Sequence, residues 1–154
     1  MSDEAPPRNF LGLPDQHSDP SKAAVRILPV PYEATVSYLG GTKNGPQAII
    51  DASRAVELYD IELDDEPYDV GVATLPELAL TGAGPAQAMR QLRKAYAKAA
   101  APGRFVIMLG GEHSISWRTL ISGMARSPLT FAALTAFGRS IRPRAAPPVP
   151  TLRK

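Results

Sequence analysis

Five consecutive apolar residues, Phe105-Val106-Ile107-Met108-Leu109, run directly into Gly110-Gly111-Glu112-His113-Ser114. A short apolar run closed by turn residues predicts a buried strand. The glycine pair lets the backbone turn sharply there and approach a site closely. Glu112 and His113 are thereby delivered outside the strand's carboxyl end, the edge at which open α/β sheets build their sites. Taken alone, His113 reads either as a structural, hydrogen-bonding residue or as a metal ligand, and Glu112 either supports a ligand or faces solvent.

The surrounding pattern predicts an α/β chain. Ala24 to Val30 reads as a first strand closed by Pro31, and Gly40 to Gly45 as a turn-rich loop. Pro46 suits the first position of a helix, where its missing N–H has no partner to lose. That helix is expected to reach about Leu58, burying Ile49, Ile50, Ala55 and Val56. Asp60, Glu62 and Asp64 alternate with Ile61 and Leu63, a period of two that predicts a solvated edge strand. Asp69 to Ala73 adds a further short strand. Gly84-Pro85 opens the clearest helix: Pro85, Met89, Leu92, Tyr96 and Ala99 recur at steps of four and three, with Arg90, Arg93, Lys94 and Lys98 on the solvated side. Pro102-Gly103 stops it before the strand Arg104 to Leu109. Ser114 or Ser116 is placed to cap a helix through Met124, and Leu129 to Leu134 reads as another buried strand. Strands alternating with helices at this spacing predict a parallel sheet.

Charge divides the chain. Up to Ala125 there are 11 Lys+Arg against 15 acids, net −4; from Arg126 onward there are six cations and no acid, net +6. Thr135 to Lys154 carries four Pro, four Arg and three Ala with no helical or strand period, a disordered composition. Its cations are sparse, broken by prolines and lack aromatic interleaving, so no nucleic-acid partner is expected. The chain has no cysteine, which excludes disulfides and thiolate metal sites. No apolar run is long enough for a membrane span, and the acidic start Met1-Ser2-Asp3-Glu4 argues against a secretory leader. A cytoplasmic location is expected.

Three segments resemble one known family. Leu109-Gly110-Gly111-Glu112-His113-Ser114 is similar to the Gly-Gly-Asp/Glu-His-Ser motif of the arginase/agmatinase (ureohydrolase) family. Gly41-Thr42-Lys43-Asn44-Gly45-Pro46-Gln47-Ala48-Ile49 resembles that family's Gly-x-Arg-x-Gly-Pro-x-Ala-Ile segment, with Lys43 in place of the usual arginine. Asn9-Phe10-Leu11-Gly12 resembles the N-terminal entry of agmatinases, which with Glu112 favours the agmatinase branch. The resemblance covers roughly Asn9 to Leu134. It implies an incomplete ureohydrolase fold, a partial three-layer parallel sheet with flanking helices, over residues 1–134 (1–24 irregular), followed by the tail 135–154. It also implies a hydrolase of small guanidino compounds, converting agmatine to putrescine and urea, that holds two Mn2+ ions and assembles as a homo-oligomer.

In that scheme His113 binds the first metal, and Gly110, Gly111, Glu112, Gly41 and Gly45 shape the site. The family's remaining ligands come from an Asp-Ala-His-x-Asp motif and a later Asp-x-Asp motif. Neither stands in this sequence: Leu134 is followed by Thr135-Ala136-Phe137-Gly138-Arg139-Ser140. The second histidine, His17, lies in the irregular N-terminal segment and matches no ligand position. The chain is therefore expected to be inactive alone. The alternative is a non-catalytic interaction protein that pairs with a complete ureohydrolase subunit. One hypothesis for the break is a one-base slip near codon 135: one of many synonymous encodings of Ala136 to Ile141, read a base later, gives His-Ser-Asp-Val-Arg.

Overall fold

The computed structural model describes residues 8–37, 39–80, 84–100 and 103–116, together with the backbone of Ala132–Thr135. Four strands form one parallel sheet: β1 (Val25–Val30), β2 (Val72–Thr74), β3 (Phe105–Gly110) and β4 (Ala132–Thr135), in the order β2-β1-β3-β4. Three α-helices lie wholly within the described residues: the single turn α1 (Asp15–Ser18), then α2 (Gly45–Ser53) and α3 (Pro85–Ala99). β1 pairs with β3 over its whole length, from Val25↔Phe105 to Val30↔Gly110, so the two strands end level with each other.

Alternate side chains of these strands feed two separate cores, as expected of a sheet covered on both faces. Leu28, Val30, Val106 and Met108 pack with Ala88, Met89, Leu92 and Ala99 of α3. Ile27 and Leu109 pack on the opposite face with Ile50 of α2 and Leu13 of the N-terminal segment. Because β2 lies on one side of β1 and β3 on the other, the two connecting helices must lie on opposite faces if both crossovers are right-handed. The result is the three-layer α/β arrangement expected from the sequence. Pro29 sits within the interior strand β1, an unusual place for a residue without an N–H. It is tolerated because β2 has already ended at Thr74, and only the Pro29 carbonyl is used there, accepting from Leu78 N–H at 2.9 Å.

The helix α3 follows the predicted face closely. Ala88, Met89, Leu92 and Ala99 are buried and Tyr96 half-buried, while Pro85 at its start is exposed. Arg90, Arg93, Lys94 and Lys98 are all exposed. The other helix departs from expectation. α2 ends at Ser53, not near Leu58, and buries Pro46, Ile50 and Ser53. Ile49 is half-buried, and Ala55 and Val56 are exposed. The physical reason lies at Ser53: its hydroxyl donates to the Ile50 carbonyl (2.7 Å) and accepts the Leu11 N–H (2.8 Å), tying the last turn to the N-terminal segment.

The alternating segment after Tyr59 is not a strand. Asp60 Oδ1 accepts the N–H groups of Glu62 (2.9 Å) and Leu63 (3.1 Å), a local side-chain turn that outcompetes an extended backbone. Asp60 and Asp65 close it by exchanging backbone hydrogen bonds. Asp69 falls in a short 3-10 turn (Pro67–Val70), so the strand expected from Asp69 begins only at Val72. In the segment expected to be irregular, Phe10–Gly12 and α1 form short helical turns, and Leu13 is fully buried. The helix expected from Ser114 or Ser116 begins at Ser114. Its continuation to Met124 and the tail 136–154 lie outside the described residues. Among the described residues no helix is long and apolar enough to cross a membrane.

Candidate functional site

β3 delivers its C-terminal residues to the carboxyl edge as the sequence implies. Gly110 ends the strand opposite Val30 of β1 and Thr135 of β4. The chain then stays hydrogen-bonded to the segment that follows β1: Gly111 N–H donates to Val30 O (3.2 Å) and Glu112 N–H to Tyr32 O (2.9 Å). This backbone contact is why Gly111 must be glycine. A Cβ there would lie 2.3 Å from the Tyr32 carbonyl oxygen and 3.2 Å from that of Thr42. Helical backbone starts at Ser114, with Ser116 N–H on His113 O at 3.1 Å, and His113 is exposed at its foot.

Glu112 neither faces solvent nor stands ready as a ligand. It is buried, and Oε2 accepts the N–H groups of Ala34 and Thr35, both at 2.7 Å. Oε1 accepts the Thr35 hydroxyl (2.8 Å) and the Ser114 hydroxyl. Four donors occupy the roughly four acceptor positions of a carboxylate, so Glu112 is a clamp between the ends of β1 and β3. Burial pushes its pKa up, but the hydrogen bonds from Ser114, Thr35 and Ala34 together outweigh burial and hold it below the usual carboxylate value.

A second carboxylate repeats the device. Glu33 Oε2 accepts from Gly41 N–H (2.6 Å), the Thr42 hydroxyl (2.9 Å) and Lys43 N–H (3.2 Å). The Lys43 bond leads in lowering the Glu33 pKa, with those from Thr42 and Gly41 adding to it. Gly41, at φ +115°, takes the left-handed conformation this cradle requires. Gly45 is different: it has ordinary helical angles as the first residue of α2 and donates to Thr42 O. Sequence reasoning overlooked Glu33, although the carboxyl-edge rule applied to β3 points equally to the residues after β1. Among the described residues the hydroxyl of buried Tyr32 has no hydrogen-bond partner, and burial, then the Glu112 charge, raises its pKa.

The structure brings Gly110, Gly111, Glu112, His113 and Gly41 to one edge, but it does not assemble a metal-binding set. Among the described residues, no group of three or more His, Cys, Asp or Glu side chains could hold a metal ion. His17 is not at this edge. Its Nδ1 lies 3.4 Å from Asp69, and its ring meets Tyr68 edge-on with centroids 5.0 Å apart, ahead of the start of β2. β4 brings Thr135 level with Gly110, and no acid or histidine follows in the sequence. The residues present do not fit a dinuclear centre.

A parallel three-layer sheet with a Gly-Gly-Glu-His turn at its carboxyl edge defines an α/β chain of the ureohydrolase type. The Arginase family model matches residues 23–132, and the chain belongs to that family. It is 38% identical over 124 residues to N(1)-aminopropylagmatine ureohydrolase of Synechocystis, an alignment covering 75% of this chain and 40% of that protein. It is 30% identical over 101 residues to an agmatinase of Bacillus anthracis, covering 66% and 35%. The chain thus spans about two fifths or less of the length of these relatives. Among solved structures, the agmatine ureohydrolase of Thermoplasma volcanium superposes with a TM-score of 0.62 at 22% identity, covering 77% of this chain and 39% of that one. A hypothetical agmatinase from Burkholderia thailandensis gives 0.64 at 20% identity, covering 79% and 39%. Both show the same fold.

Proposed function

We propose that this chain carries the opening half of a guanidino-hydrolase site and is catalytically silent as a single polypeptide. The observation that carries this reading is the exposed His113 at the carboxyl edge of β3, held behind a fully engaged Glu112. In the family reading, His113 is one imidazole ligand to manganese, a metal that suits imidazole and oxygen donors. The substrate is a linear guanidino compound such as agmatine, and the products are urea and an amine. The chain's own contribution is to fix Ala34 and Thr35 against the 110–114 turn through Glu112, while Glu33 ties Gly41, Thr42 and Lys43 back to the end of β1. A dinuclear centre needs several more histidine and carboxylate ligands than this edge offers, so the chain by itself does not complete the hydrolytic site.

Urea release from agmatine with Mn2+ supplied tests this. The expected result is no urea above the metal-only blank, and none lost on His113→Ala. Urea release that His113→Ala abolishes would overturn the silent-chain reading. The missing donor set also supports a second reading, a non-catalytic partner of a complete ureohydrolase subunit. Co-purification with such a subunit, and a change in that subunit's urea release, is the result it requires.

A further inference from the structure

One region is assigned no role by this reading. Val56, Tyr59, Ile61, Leu63 and Val70 are large apolar side chains from a single stretch, and all are exposed, Ile61 at 80% and Leu63 at 69%. Scattered exposed apolar residues are ordinary, but a contiguous patch marks an interaction surface. Val56, Tyr59 and Ile61 of this set border a cavity of about 460 Å³ whose apolar lining is completed by Leu11, Leu58, Pro67 and Tyr68. Its charged lining is acidic throughout, Glu57, Asp60 and Glu62. The acidity extends along the chain: residues 55–89 contain eight Asp or Glu and no Lys or Arg.

The complement lies on the same molecule. α3 carries no acid, and Arg90, Arg93, Lys94 and Lys98 are all exposed on it. Arg90, Lys94 and Lys98 follow at steps of four, a stripe about 12 Å long. α3 covers one face of the sheet, whereas the groove adjoins the end of α2 and the turn before β2, on the side of the other core. The two surfaces therefore do not meet within one molecule.

We propose that the groove receives the α3 stripe of a second copy of this chain. Long Arg and Lys stems can cover an apolar floor while their charged heads reach a rim. The floor offers aliphatic side chains and two tyrosine rings, and the rim offers carboxylates, so both halves of each cation find a partner. The contact is head-to-tail, groove to helix, and propagates into a ring or an open chain. It is independent of metal and of turnover.

Sedimentation of the full 154-residue chain against concentration, at low and high NaCl, is the test. Self-association is expected at low salt, weakening at least about tenfold at high salt because the contact is between opposite charges. Non-specific apolar aggregation would instead persist or strengthen with salt, and that result overturns the proposal. Two variants, Glu57→Lys/Glu62→Lys in the groove and Arg90→Glu/Lys94→Glu on α3, with folding checked by circular dichroism, should each be monomeric. Mixed together they should associate again, since each supplies the surface the other has reversed. A monomeric wild type, association surviving either variant, or failure of the mixture to recover would contradict it. Loss in the groove variant alone would show that the groove takes some other basic partner.

Discussion

The molecule uses carboxylates in two opposite ways, and the difference locates its site. At the carboxyl edge, Glu33 and Glu112 reach across the chain: Glu112 binds residues 77 and 78 positions away, and Glu33 binds a loop eight to ten residues on. Between Tyr59 and Tyr68, the carboxylates of Asp60, Asp64, Asp65 and Glu66 accept from near neighbours. Asp60 holds the N–H groups two and three residues ahead, Asp64 accepts from Tyr59, and Glu66 accepts from Tyr68. The first arrangement joins strand ends and rigidifies an edge. The second folds a turn locally and leaves its apolar side chains in solvent.

Substitutions should separate the two regions sharply. Glu112→Ala leaves the Ala34 and Thr35 N–H groups without their acceptor and is expected to cost about 3 kcal/mol, read from urea unfolding. A loss under about 0.5 kcal/mol, typical of the surface, would put Glu112 in the same class as the turn acids. Gly111→Ala drives a Cβ into the Tyr32 carbonyl, and an overpacked contact of this kind is expected to cost about 2–3 kcal/mol. Glu33→Gln should act locally, with faster hydrogen exchange at the Gly41 and Lys43 amides and little shift in Tm. Glu62→Gln, in the exposed turn, should leave both stability and exchange unchanged.

Acid sharpens the same contrast. The Glu112 pKa is depressed in the folded chain, so its contribution to stability is complete above the ordinary carboxylate value of 4.5 and is lost as pH falls through the lower folded value. Stability of the wild type should therefore fall below about pH 4.5. The Glu112→Gln variant, less stable at neutral pH, should show a flatter profile across that range. A variant profile parallel to wild type would mean that other carboxylates dominate the acid limb.

The sheet and α3 were legible in the sequence because burial there follows simple periods, and the placement of His113 followed from the carboxyl-edge rule. The end of α2 was not, since Ser53 is buried through a hydrogen bond to Leu11, 42 residues earlier. Alternation at Asp60 to Asp64 misled for a related reason: period two reports side-chain order, not whether an Asp oxygen captures the next N–H groups. The role of Glu112 was illegible locally, because its acceptors are satisfied by a loop that adjoins it only in the fold. The patch around Ile61 and the stripe on α3 each looked like solvated surface until the fold showed them on separate faces.

We propose that this edge offers a metal a single imidazole, that of His113, and no dinuclear site. Titration of the purified chain with Mn2+, followed by the EPR signal of free Mn(II), tests it most directly. The signal is expected to rise from the first addition as if nearly all the metal were free, with no stoichiometric break and no change on His113→Ala. A break at two Mn2+ per chain, removed by His113→Ala, would mean that a complete centre exists and that the ligand set drawn here is wrong.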